Sequence, residues 1–308
     1  MAIIPGIYAS QISGHLIFPA AYFAGGYDTA RIAGIDKIAF SADTKSTLAA
    51  TLSTARYYLA GAANSGTAAY FAGGVDTANI SGIDKIAFSG DTKSTLAATL
   101  STARYYLTGA ANSGTAAYFA GGVDTGDISG IDKIAFSGDT KSTLSATLST
   151  ARAGQAGAAN SGTAAYFAGG SYTANISGID KITFSGDTKS TLSATLTTAR
   201  YALAGAANSG TAAYFAGGVD TANISGIDKI TFSGDTKSTL SATLSTARYN
   251  LAGAANSGTA AYFAGGQDTA NISGIDKIAF SADTKSTLAA TLSTARYALA
   301  GAANSGVI

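Results

Sequence analysis

Few groups in this chain could do chemistry, and most of them come in sixes. Asp84-Lys85 recurs as Asp36-Lys37, Asp132-Lys133, Asp180-Lys181, Asp228-Lys229 and Asp276-Lys277, each copy 48 residues from the next. A carboxylate beside an ammonium could serve acid–base chemistry. Neighbours on an extended strand point to opposite faces, so each Asp is expected to meet an Arg or Lys of the neighbouring repeat instead. Six copies of one ion pair read as a structural ladder, because an active site breaks symmetry. His15 is the one histidine, and the chain has no cysteine and no glutamate. That removes disulfides, thiolate nucleophiles and thiolate metal sites, and it leaves His15 without partners for a triad or a zinc site. Asp76-Thr77 and Asp91-Thr92 fall in turns, where Asp accepts backbone N–H bonds. A calcium loop needs a denser alternation of acids. The double glycines open no helix and GxGxxG is absent, so they cradle no phosphate. No catalytic residue, metal or cofactor is expected.

The symmetry does break, at aromatic and amide side chains. After each recurring arginine the copies read Tyr57-Tyr58-Leu59, Tyr105-Tyr106-Leu107, Ala153-Gly154-Gln155, Tyr201-Ala202-Leu203, Tyr249-Asn250-Leu251 and Tyr297-Ala298-Leu299. After each double glycine they begin Tyr27, Val75, Val123, Ser171-Tyr172, Val219 or Gln267. The candidate binding residues are therefore Tyr27, Tyr57, Tyr58, Tyr105, Tyr106, Gln155, Tyr172, Tyr201, Tyr249, Asn250, Gln267 and Tyr297. Tyrosine carries a flat apolar ring with a polar tip, which suits sugar or protein recognition. Loops also tolerate change for no functional reason, which accounts for the same variation. The fourth copy departs most and is where a pocket is expected.

These residues hang on a repeat. Ala-Tyr-Phe-Ala-Gly-Gly returns six times, with its tyrosine at Tyr22, Tyr70, Tyr118, Tyr166, Tyr214 and Tyr262. A period of that length means one supersecondary unit stacked on copies of itself. Ala, Gly, Ser, Thr, Tyr, Phe and Ile dominate, an all-β composition. In the second copy a small run, Tyr57 to Ala63, closes at the turn Asn64-Ser65-Gly66, and Thr67 to Ala72 forms the next strand. Ile83 to Phe88 reads as a third strand, Ser89 to Ser94 as a turn, and Thr95 to Thr102 as a fourth strand before Arg104. Sheets arranged radially crowd at the axis, so the Ala/Gly run belongs innermost. The first copy starts at its second strand, Ala20 to Phe23, while the last runs on past Arg296 into an orphan first strand. The expected fold is all-β: a six-bladed β-propeller of four-stranded antiparallel blades, closed by the C-terminal strand pairing with residues 20–24. Residues 1–19 form a divergent N-terminal segment for attachment or packing, and residues 20–308 form the propeller. Variable connections emerge on one face and the invariant turns on the other.

The double glycines (Gly73-Gly74 and equivalents), followed by a strand, a large apolar residue and Arg104 with its equivalents, resemble the kelch repeat over residues 20–308. Leu96 stands where that family has tryptophan. Ser89 to Leu96 resembles the Asp-box turn of sialidase-type propellers, a structural hairpin. Pro5 to Leu16 resembles the start of many tailed-phage structural proteins, and kelch-like arrays with Tyr-Phe-Gly-Gly and Asp-Lys-Ile strands look similar to those of phage tail or virion proteins. The resemblance implies a non-enzymatic virion or tail-associated structural or receptor-binding protein, located in the virion and assembled in the host cytoplasm. It implies contacts with other virion proteins through residues 1–19, and with a host-surface glycan or protein on the variable face. A lectin-like glycan-binding module is the alternative; an engineered symmetric scaffold or a sialidase- or oxidase-type enzyme stands behind both. The net charge of +1 with 12% charged residues argues against nucleic acid, and no apolar run is long enough for a membrane span or a signal peptide.

Overall fold

The structure, a computed structural model, describes residues 19–305. The expectations placed on His15 and on the attachment segment lie outside the described residues, Pro19 apart. The second repeat shows how the sequence sorts into a sheet. Strand β4 (Ala60–Asn64) pairs with β5 (Ala68–Ala72), β5 with β6 (Ile83–Ala87), and β6 with β7 (Thr92–Thr95), all antiparallel. All five residues of β5 are buried, as befits a strand sandwiched between neighbouring sheets. All four residues of β7 are exposed, and this strand forms the outer edge.

Two boundaries differ from the sequence reading. The fourth strand lies at Thr92–Thr95 instead of Thr95 to Thr102. An outer edge needs no apolar face, and Thr-Lys-Ser-Thr with its lysine also discourages edge-to-edge pairing. Leu96 and Leu100 follow in irregular backbone, anchored by N–H bonds to Ile83 O and Ser81 O at 2.9 Å each, with their side chains in the core. The innermost strand starts at Ala60 because Tyr57 is used in a separate bridge to Val75.

Strands β1 (Ala20–Ala24), β2 (Ile35–Ala39) and β3 (Thr44–Thr47) make three-quarters of the first blade, and the C-terminal β24 (Ala300–Asn304) supplies its inner strand. The register runs from Ala20 opposite Asn304 to Ala24 opposite Ala300, as the closure expectation required. Six such four-stranded sheets form the ring, a six-bladed β-propeller. Among the described residues no helix is long and apolar enough to cross a membrane.

The inner strands approach until their backbones touch. A Cβ on Gly61 would collide with the carbonyl oxygen of Gly301, one on Gly109 with that of Gly61, and so on around the hub. Between blades, Tyr22 stacks on Phe88 at a centroid distance of 4.9 Å, with the same pairing at the other seams. The Tyr22 hydroxyl donates to Asp91 Oδ1 and Lys37 Nζ to Asp91 Oδ2, both at 2.8 Å. Asp91 was expected to cap its own turn. Its φ of 50° instead presents the carboxylate to the preceding blade. Asp84 meets an arginine held by the neighbouring blade, as expected. Its carboxylate takes Arg56 Nη2 at 3.2 Å, the Ser53 N–H and hydroxyl at 2.9 Å, and the Thr95 hydroxyl at 2.8 Å. Arg56 is held by the first blade, its N–H donating to Ile32 O at 3.2 Å and its carbonyl accepting from Gly26 N at 2.9 Å, so this pair crosses between blades, as does Lys85 to Asp139 of the next blade at 2.8 Å.

Candidate functional site

The variable residues surround the axis on the face where the chain passes from blade to blade. Two positions after each buried arginine stand Tyr58, Tyr106, Gly154, Ala202, Asn250 and Ala298, all left-handed with φ of 54°, 57°, 65°, 56°, 55° and 55°. Only one of the six is the glycine that such a backbone favours. The compensation is mutual. Tyr106 N donates to Tyr58 O, Gly154 N to Tyr106 O, Ala202 N to Gly154 O, Asn250 N to Ala202 O, Ala298 N to Asn250 O, and Tyr58 N to Ala298 O, at 2.7–2.9 Å. This circle of six backbone hydrogen bonds closes the hub.

Six neighbouring side chains cannot all be large at one axis. Tyr58 and Tyr106 stack with ring centroids 3.7 Å apart. The Tyr106 hydroxyl donates across the ring to Asn250 Oδ1 at 3.0 Å, and Asn250 Nδ2 lies 3.5 Å from the Tyr58 hydroxyl. Gly154 gives the space: a Cβ there would stand 3.4 Å from the Tyr106 ring. Burial pushes the Tyr58 phenol up to about 12 and the Tyr106 phenol further up, so both remain hydrogen-bond donors near neutrality. Beneath this plug lies a hub cavity of about 150 Å³, lined by residues 58–61 and their equivalents.

Around the plug, Tyr27 packs on Tyr57 at 5.3 Å and on Tyr297 at 5.7 Å, Tyr57 on Tyr58 at 4.7 Å, and Tyr105 on Tyr106 at 5.9 Å. Six predicted residues, Tyr27, Tyr57, Tyr58, Tyr105, Tyr106 and Tyr297, thereby form one aromatic patch, and Asn250 joins it by its hydrogen bond. Tyr249 donates to Gln267 Oε1 at 2.8 Å, making a polar flank. Tyr201 is half-buried and bridged through its backbone to Val219. Two predicted residues stand apart from the patch. Gln155 is buried in the place of a leucine, its Nε2 donating to Ala120 O at 2.8 Å. Tyr172 sits on the outer rim, 55% exposed.

The sequence reading missed a set of four links between blades at that rim. Asn175 Nδ2 donates to Asp220 at 3.0 Å, Asn223 to Asp268 at 2.9 Å and Asn271 to Asp28 at 3.1 Å, while Arg31 pairs with Asp76 at 3.4 Å. The signal was available as a donor followed 45 residues later by Asp, except in the Asn271–Asp28 pair that closes the ring. Chemically the mouth offers flat apolar rings edged with hydroxyl and amide groups, which can stack on the C–H face of a sugar or on side chains of a protein. Among the described residues no three His, Cys, Asp or Glu side chains gather as metal ligands. No family model matches this chain, and no curated protein matches it. The solved structure of YjhT is similar to it, with a TM-score of 0.70 over 89% of this chain and 99% of YjhT at 13% sequence identity, a likeness of fold alone.

Proposed function

We propose that this chain is a non-enzymatic receptor-binding propeller of a phage virion, which turns its tyrosine-lined mouth toward a host-surface glycan. The observation that carries the recognition role is the contiguous patch of Tyr27, Tyr57, Tyr58, Tyr105, Tyr106 and Tyr297 on the one face where the repeats differ. Half-buried tyrosines are held rigidly, so little side-chain freedom is lost when a sugar ring stacks on them. The virion setting is supported by the resemblance of residues 5–16 and of the kelch-like strands to tailed-phage structural proteins; residues 1–19 would then hold the propeller to other virion proteins. A glycan array probed with the whole chain and with Tyr57→Ala, Tyr105→Ala and Tyr201→Ala tests this. Selective loss of signal in these variants is expected, and a wild-type chain that binds no glycan overturns it.

A purely structural role is the second reading, and one observation favours it. Tyr58, Tyr106 and Asn250 satisfy one another at the hub, as core-filling residues do. In that case Tyr57→Ala changes the melting temperature and no binding signal.

A further inference from the structure

Departures from the repeat gather at one seam, between the third and fourth blades. At four other seams the rim is tied by Arg31–Asp76, Asn175–Asp220 and Asn223–Asp268, each pair 45 residues apart, and by Asn271–Asp28 where the ring closes. The second seam keeps Asn79 and Asp124, the same pairable types. Only the third seam abandons them: Asp127 stands at the donor position and Tyr172, 45 residues on, at the acceptor position. The Asp127 side chain has no hydrogen-bond or ion-pair partner among the described residues, and partial burial holds its carboxyl above the usual range. Tyr172 is the one exposed large apolar side chain among the described residues.

The same seam is unusual further in. Ala153 replaces the tyrosine that stands at this position in every other copy, so the wall of the mouth is lower there, while the Tyr106 ring packs against Gly154. Gln155 replaces the leucine of every other copy and is 4% exposed, next to Gly121 of the third blade, with no partner for its Oε1. A buried amide with an unmet acceptor costs stability, and a leucine in that place does not. When several local rules fail at one place in an otherwise regular scaffold, function is the usual reason.

We infer that the seam between blades three and four is a binding subsite for a neutral or amine-bearing hexopyranose. The Asp127 carboxylate accepts hydroxyl or ammonium hydrogens, the Tyr172 ring stacks on the C–H face of the sugar, and the place vacated by the missing tyrosine at Ala153, which bridges Ser171 next to Tyr172, admits it. An acidic sugar is excluded by charge. This subsite rests on the recognition role proposed above and gives it a substrate class.

The test is saturation-transfer NMR and titration of the full chain with four probes: methyl glucoside, methyl galactoside, glucosamine and N-acetylneuraminic acid. The double variant Asp127→Asn with Tyr172→Asp rebuilds the link used at the other seams, so it should melt no lower than the wild type. Its affinity for at least one of the first three probes should fall by about tenfold or more. Asn223→Ala breaks a rim link elsewhere and should leave affinity within about twofold of the wild type. Undiminished binding by the double variant overturns the subsite, as does preferential binding of N-acetylneuraminic acid or no binding of any probe by the wild type. If Tyr57→Ala abolishes binding while the double variant does not, the mouth recognises sugars and the seam does not. If Tyr57→Ala and the array show no role for the mouth while the double variant loses binding, the seam stands and the mouth falls.

Discussion

At the scale of single residues, burial decides which charges hold this protein together. Arg104 and Asp132 are almost fully buried and 3.1 Å apart, whereas Lys85 and Asp139 form their 2.8 Å pair with about a quarter of each side chain in solvent. Removing one partner of a buried pair strands the other charge, so Arg104→Ala is expected to cost about 3–5 kcal/mol. Lys85→Ala should cost no more than about 1 kcal/mol, because solvent screens that pair. Urea unfolding of the two variants checks the contrast, and equal losses contradict it. The phenols give a second test. Burial, then the hydrogen bond to Asp139, raises the Tyr70 phenol above its ordinary value of 10.0, and burial raises Tyr58 from 10.0 to about 12. A raised folded pKa means the folded state keeps protons that the unfolded chain releases. Stability is therefore full below pH 10.0 and falls as pH climbs toward about 12. Melting temperatures followed across that window should drop steeply, and a flat profile counts against the burial of these rings.

At the scale of elements, the strands differ in how far the sequence announced them. The buried β5 and β6 were legible because Ala-Tyr-Phe-Ala and Ile-Asp-Lys-Ile combine strand-forming residues with apolar faces. The edge strand β7 was read as part of a turn, because Thr-Lys-Ser-Thr has no face to bury and so carries no periodic signal. The candidate site was half legible. Its tyrosines showed as breaks in the repeat, but the hub that assembles Tyr58, Tyr106 and Asn250 depends on left-handed backbone and contacts 144 residues apart, which no local pattern reveals. The inner strands make their own prediction. Gly109→Ala places a methyl group against the Gly61 carbonyl and is expected to destabilise by about 1–3 kcal/mol. Gly90→Ala meets only Thr92 Cγ2 at 3.5 Å, and Ala42 and Ala282 already fill the equivalent positions. It should stay within about 0.5 kcal/mol of the wild type, and calorimetry on both variants settles the comparison.

At the scale of the whole molecule, closure depends on the last strand. Removing residues 297–308 takes away β24, leaves β1 as an unpaired edge, and deletes Ala298 from the hub circle. The expected loss is on the order of the ~5–15 kcal/mol that a domain possesses in total, seen as a melting transition that is broad or absent; an unchanged midpoint would contradict the latch. The hub circle has a further consequence for how such a chain can change. Elsewhere each of the six units can mutate on its own account, since its neighbours see only a blade flank. At the axis every unit shares one small room, and the two rings already there fill it. A third ring would have to displace an occupant contributed by a distant stretch of chain. Divergence among these copies is thus private at the periphery and communal at the centre.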